Sequence, residues 1–413
     1  MAKIFLFLIG FSFSLSLIGQ EMGVKEIIIS SRDNPVLKAQ QNTIDYLNNK
    51  SFRLPFFDKI SLRLRTQGLY YQPHQYQLSF KNNSIGMMRA QYRGSLVLKD
   101  IENYEYQIIN LKEYKDRYDA IVDIYFQNRK DTLLLELTSL LNDKKKYFIQ
   151  EVSIGASTKF DNIVEIDEDL FKYKAESLQN RENNTESLNL LSILTGKQIS
   201  KVNFVDFISL DKIIFTMNQL SEETTETLEM RKKKLEIGLK DWKRKSLIRE
   251  NYKILNNWQI SYEDSLSKND FLQTRINIGV SLLIPVPNSN KIKIQNAKLD
   301  VLSAEKEYAE AKFETAIDIK ELQLKLNKEW KMILAQKNQL NEYNAMYDIT
   351  KLASQPGIDA YFLYKVKSVQ LKKRYEIEKN LNNVYKTYIE LMDVTGSLGL
   401  KNCLSDGLEE LSN

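Results

Sequence analysis

FLQTRINIGVSLLIP, residues 271–285, alternates with a period of two. Leu272, Thr274, Ile276, Ile278, Val280 and Leu282 fall on one face of an extended chain. Gln273, Arg275, Asn277, Gly279 and Ser281 fall on the other. Successive side chains of a strand point to opposite faces, so this is a strand with one apolar and one polar side. About ten residues of such a pattern fit a tilted strand across a bilayer. The upstream stretch NWQISYEDS places Trp258, Ile260 and Tyr262 on one face and makes the hairpin partner. The two are joined by Ser265–Asp270, polar apart from Leu266.

An earlier pair reads the same way. KISLRLRT sets Ile60, Leu62 and Leu64 opposite Ser61, Arg63 and Arg65. HQYQLSFKN sets Tyr76, Leu78 and Phe80 opposite Gln75, Gln77 and Ser79. The connection Tyr70-Tyr71-Gln72-Pro73 is aromatic, as suits a membrane interface. Alternation of this kind also suits a half-buried sheet in a soluble domain. Two hairpins, 58–82 and 257–284, each followed by a very long helical stretch, favour lipid.

The helical stretches set the rest. Residues 84–152 contain no Pro, and Gly only at 86 and 94; residues 290–354 contain neither. Within 290–354, Ala297, Val301, Ala304, Tyr308, Ala311, Thr315, Ile319, Leu322, Leu326, Trp330 and Ile333 recur at steps of three or four. That is a coiled-coil-like seam along one continuous helix. Roughly 65 residues at 1.5 Å each give a rod of ~100 Å, which must pair with other helices over its length.

The chain is an internal repeat. The first repeat spans 20–196, with a short helix, hairpin 58–82 and a long helical hairpin whose tip is near Gly155. The second spans 197–396, with a charged helix at 222–254, hairpin 257–284 and a tip at Gln355-Pro356-Gly357. From tip glycine to closing glycine, Gly155 to Gly196 is 41 residues and Gly357 to Gly396 is 39. LLSILTG and LMDVTG close the repeats alike, and residues 397–413 form a tail.

Composition narrows the function. One His (His74) and one Cys (Cys403) among 413 residues exclude a His/Cys metal site or a disulfide framework within one chain. No cofactor motif, P-loop or nucleophile elbow is present, so neither an enzyme nor a cofactor is expected. The net charge of +5 is small and dispersed, and argues against nucleic acid. Residues 1–19 read as a cleaved export signal: Lys3, an apolar run Ile4–Leu17, and a cut at Gly19/Gln20.

Together these features resemble the TolC family of outer-membrane export ducts over essentially the whole mature chain. DNPVLKA (33–39) is similar to the family's first helix start, and LPFFDKISLRL to its passage into the first strand. INIGVSLLIPVP is similar to the passage into the second long helix, and LLSILTG and LMDVTG to the helix ends. The resemblance implies a mainly α fold with a small β part. Long helical hairpins would form a coiled-coil α-barrel, and four transmembrane strands per chain would complete a 12-stranded barrel in a homotrimer. It implies an outer-membrane location reaching into the periplasm, and a passive conduit for solutes or proteins. Its partners would be outer-membrane lipid, a periplasmic adaptor and an inner-membrane pump, in tripartite efflux or type I secretion.

The resemblance also assigns site residues. Asp161, six beyond Gly155, matches a carboxylate that lines the closed periplasmic entrance in several members; its counterpart in the second repeat is Leu363. Glu165 opens the acidic run Glu165, Asp167, Glu168, Asp169 beside it. The tips, with Ile154, Gly155, Ala156, Pro356, Gly357, Ile358 and Tyr361, would be adaptor docking points, unless those apolar side chains pack within the trimer. Arg63, Arg65 and Arg275 would face the barrel lumen. The alternative from another class is a periplasmic coiled-coil adaptor or scaffold without a pore, its strands forming a soluble sheet.

Overall fold

The computed structural model describes residues 20–30, 34–49, 55–66, 74–153, 160–205, 207–219, 226–251, 255–263, 275–282, 290–355, 357–398 and 403–404. In chain order the elements are β1 (Gln20–Gly23), α1 (Val24–Ile29), α2 (Pro35–Asn49), β2 (Phe57–Thr66), β3 (His74–Asn82), α3 (Ile85–Ser153), α4 (Phe160–Thr195), β4 (Ile199–Asn203), α5 (Leu210–Gln219), α6 (Leu228–Asn251), β5 (Leu255–Glu263), β6 (Arg275–Leu282), α7 (Lys291–Met346), α8 (Ile349–Ala353) and α9 (Ala360–Val394). The chain divides into two compact units, each drawing on both sequence repeats. One comprises Met1–Lys38, Ile109–Thr227 and Thr315–Asn413; the other comprises Ala39–Ile108 and Leu228–Glu314.

The first unit is a layered helical body with two apolar clusters. Near the parallel pair β1–β4, Met22, Ile27, Ile28, Tyr118, Ile121, Ile124, Phe126, Leu191 and Tyr388 pack together. The second cluster joins the end of α3 (Leu134, Leu137, Leu141, Phe148) to Ile166 and Leu170 of α4 and Leu371 of α9. Polar ties reinforce both. Arg117, fully buried, donates to the carbonyls of Ile27 (2.8 Å), Ile28 (3.2 Å) and Leu194 (2.5 Å), and so fixes the N-terminal segment against the end of α4. Lys115–Asp393 (3.0 Å), Lys386–Asp123 (2.8 Å) and Arg129–Glu378 (2.7 Å) link α3 to α9.

Two of the long helices end in the same way. Gly196 (φ 68°) and Gly396 (φ 70°) both take the left-handed conformation that closes a helix at low steric cost to glycine alone. At the second end Gly396 N donates to the Asp393 carbonyl and Ser397 N to the Met392 carbonyl. α4 and α9 have 36 and 35 residues, so the paired arms match in length.

The α7 seam is where the spacing predicted it. Ala297, Ala304, Leu326 and Ile333 are buried, and the other seven seam residues are half-buried. The expected continuity from 290 to 354 is corrected: α7 ends at Met346, and a separate short helix starts after Asp348. The Asp348 side chain accepts from the backbone N–H groups of Thr350 and Lys351, and this cap competes with helix propagation. The charged helix expected over 222–254 runs from 228 to 251; residues 221–225 and 252–254 lie outside the described residues.

The second unit carries all four strands of one antiparallel sheet, in the order β2-β3-β5-β6. α6 packs on the start of α3. Arg249 donates to the Gly86 carbonyl (3.1 Å), and a Cβ at Gly86 would meet the Arg249 side chain at 3.1 Å. Arg93 and Lys245 lie over the Trp242 ring, and Arg244 and Lys245 hold Asp241. The basic runs of α6 therefore engage its own helix and α3.

Candidate functional site

The register of the sheet sorts its side chains into rows. Ile60, Phe80, Trp258 and Val280 are level; so are Leu62, Leu78, Ile260 and Ile278, and Leu64, Tyr76, Tyr262 and Ile276. All twelve lie on one face, and all are apolar or aromatic. On the other face the rows are Lys59, Lys81, Asn257, Ser281; Ser61, Ser79, Gln259, Gly279; Arg63, Gln77, Ser261, Asn277; and Arg65, Gln75, Glu263, Arg275. The hydroxyls of Ser61 and Ser79, with Oγ atoms 2.6 Å apart, pair across strands on the polar face.

The apolar face is not a core. Ile276 is 66% exposed, Ile278 72% and Val280 49%, and Ile60, Leu62 and Leu64 are exposed too. A water-soluble sheet buries such a face against another layer. Aromatic side chains stand toward both ends of the face: Phe57, Phe80 and Trp258 at one, Tyr76 and Tyr262 at the other. That distribution, apolar in the middle and aromatic at the margins, is the composition of a strand band in a bilayer. Strands of 8 to 10 residues have the length for it. Among the described residues β2 and β6 end the sheet, each with one edge of backbone N–H and C=O groups left to pair. No helix among the described residues is long and apolar enough to cross a membrane.

The helical-hairpin ends lie in the first unit. Gly357 (φ 94°) turns the chain before Asp359, whose side chain caps α9 by accepting from Tyr361 N. The Tyr147 hydroxyl sits 2.8 Å from Asp359 Oδ1, and hydrogen bonding to Glu151 and Asp359 pushes it above the usual phenol range. Phe148 packs on Tyr361 (5.2 Å between ring centres), and Lys144 lies over the same ring at 5.1 Å. Burial lowers the Lys144 pKa, opposed in part by the charge of Glu165.

No protein-family model matches the sequence, and no curated protein matches it. Solved structures do match its fold. The outer membrane channel CmeC of Campylobacter jejuni superposes with a TM-score of 0.65 at 13% identity, covering 94% of this chain and 86% of that one. The open-state MtrE outer membrane channel of Neisseria gonorrhoeae gives 0.66 at 11% identity, covering 91% and 89%. CusC, described for its folding and transmembrane channel formation, gives 0.67 at 10% identity, covering 90% and 92%. The chain has the fold of the TolC-family outer-membrane channels.

Within that channel fold the expected site residues separate into three groups. Arg63 and Arg65 are exposed on the polar face of the sheet, and Arg275 opens β6 in register with Glu263. Asp161 and Glu165 are exposed in the first turns of α4, and Leu363 is half-buried in α9. Of the acidic run, Asp167 is held by Lys145 (2.6 Å) and Asp169 by Lys372 (2.9 Å), so half of it is neutralised by neighbouring helices. Gly357 is exposed, while Ile358 and Tyr361 are half-buried. Ile154, Gly155, Ala156 and Pro356 lie outside the described residues, as do the export-signal segment 1–19 and the aromatic turn 70–73.

Two features were not drawn from the sequence. Lys59 belongs with the arginines of the polar face; its place in the odd-numbered alternation of β2 was the available signal. On α4, Val164, Phe171 and Leu178 recur every seven residues and remain exposed, Phe171 at 80%. Spacing of seven on a helix surface is that of a coiled-coil contact. Among the described residues, no cluster of three or more His, Cys, Asp or Glu could hold a metal ion.

Proposed function

We propose that this chain is an outer-membrane export duct: a homotrimer whose sheets close a 12-stranded barrel and whose helices form a periplasmic tunnel. The observation that carries the reading is the apolar face, three aligned rows of four side chains of which ten are exposed. Four strands cannot close a barrel, and open sheet edges are not tolerated in lipid, so insertion requires sister chains at β2 and β6. The heptad row Val164, Phe171 and Leu178 would be covered in the same assembly. In this role the duct performs no bond chemistry. It passes solutes or proteins outward, energised by an inner-membrane pump through an adaptor at the helical tips. The channel fold supports this reading, as do the names of the structural neighbours, which are outer membrane channels.

The test is recovery from membranes. The expected result is a detergent-dependent, heat-sensitive trimer in the outer-membrane fraction that conducts ions in planar bilayers. A monomer that stays in solution without detergent would reject it, and would favour a periplasmic scaffold instead.

A further inference from the structure

The polar face of the sheet carries an uneven charge. By register it holds Lys59, Arg63, Arg65, Lys81 and Arg275, against one carboxylate of its own, Glu263. Lys81 is neutralised separately by Asp58 at 3.1 Å, from the bulge at the start of β2. Lys59, Arg63 and Arg65 are exposed, and Arg63 is level with the neutral residues Gln77, Ser261 and Asn277. Four cations against Glu263 leave an excess of three positive charges per chain. Residues two apart on a strand are ~7 Å apart, within one Debye length at physiological salt, so these charges act together.

We propose that the barrel is selective for anions, and that the solutes it passes most readily are organic anions such as carboxylates and phosphate esters. This rests on the duct reading. If the polar face lines the lumen of a trimer, the excess becomes nine positive charges around one axis. A water-filled channel with low-dielectric walls concentrates the field of such rings, which hold back cations and enrich anions. Cargo charge, on this account, is read in the outer-membrane segment by Lys59, Arg63, Arg65 and Arg275, independently of the acidic residues near the tips.

The experiment places a thiol beside Arg63. Gln77→Cys is its cross-strand neighbour, and the native Cys403 is buried. Protein in vesicles is treated with a sulfonatoethyl or a trimethylammonioethyl methanethiosulfonate. Each rate is divided by that of free mercaptoethanol. The expected anionic-to-cationic preference is roughly tenfold. It should fall toward one in Arg63→Gln/Arg65→Gln and rise in Glu263→Gln, two variants of opposite sign. Modification without anion preference, or with cation preference, overturns the inference while leaving the duct intact. If Gln77→Cys reacts with neither reagent although Leu78→Cys does, the polar face is not the wet one, and the duct reading fails together with the inference.

Discussion

Replacing Ile278 by arginine separates a lipid-facing sheet from a soluble one by the sign of the effect. Ile278 is 72% exposed and sits in the middle row of the apolar face, level with Leu62, Leu78 and Ile260. In water, exchanging an exposed isoleucine for arginine buries nothing and removes an apolar patch, so solubility should rise and stability hold within about 0.5 kcal/mol. In a bilayer the same change puts a guanidinium near the midplane at ~2–4 kcal/mol per chain, or roughly 6–12 kcal/mol for three copies. Every 1.4 kcal/mol is tenfold, so even the lower value reduces the equilibrium constant for the folded trimer by about four orders of magnitude. Asn277→Arg, one residue away on the polar face, is the control and should leave the trimer fraction unchanged. The assay is the trimer-to-monomer ratio on unheated gels after refolding into lipid vesicles, with urea titration for the free energy. Equal behaviour of the two variants, or loss of trimer with Asn277→Arg alone, would refute the assignment of faces.

Other outcomes follow from the first unit. Arg117→Met leaves the carbonyls of Ile27, Ile28 and Leu194 and the buried carboxyl of Glu113 without their partner in a dry site, and should cost about 3–5 kcal/mol in urea unfolding. The Asp119 carboxyl is raised to about 6, first by burial and then by Asp123 and Glu390, against the opposing charges of Lys386 and Lys115. Between pH 4 and 6 the folded state therefore binds more protons than the unfolded one, and this group's contribution to stability falls as pH rises through that window. Asp119→Asn should flatten the stability profile there and raise stability at pH 7; a steeper profile would contradict it. Gly196→Ala and Gly396→Ala force alanine into left-handed backbone and should each cost about 1–2 kcal/mol. Gly238→Ala, mid-helix in α6 with open space around its Cβ position, should instead stabilise by about 1 kcal/mol, read from thermal melts.

Much of this architecture was legible because its periods are long. The α7 seam from Ala297 to Ile333 holds a step of three or four over ten turns, and alternation in 271–285 fixes both faces of β6. Glycines 196 and 396 mark the ends of two helices. What escaped is short or distant. β1 and β4 have four and five residues, too few to show alternation, and pair across the whole first repeat. The break before α8 depends on one side chain, Asp348, which a continuous apolar seam hides. The burial of Arg117 was not legible locally, since the carbonyls that it binds lie 77 to 90 residues away. The ion pairs of the acidic run near the tip had no local signal either, because Lys145 and Lys372, which hold two of its members, come from other helices.

In a bilayer, Ile276, Ile278 and Val280 are expected to meet lipid while Asn277, Gly279 and Ser281 meet water. Nitroxides attached at single cysteines at 276 through 281, in vesicles, report each environment by their collision rates with oxygen and with a water-soluble nickel chelate. The account predicts a period-two profile, with oxygen dominant at 276, 278 and 280 and nickel dominant at 277, 279 and 281. Nickel access at every position, or immobile labels shielded from both at 276, 278 and 280, would contradict it.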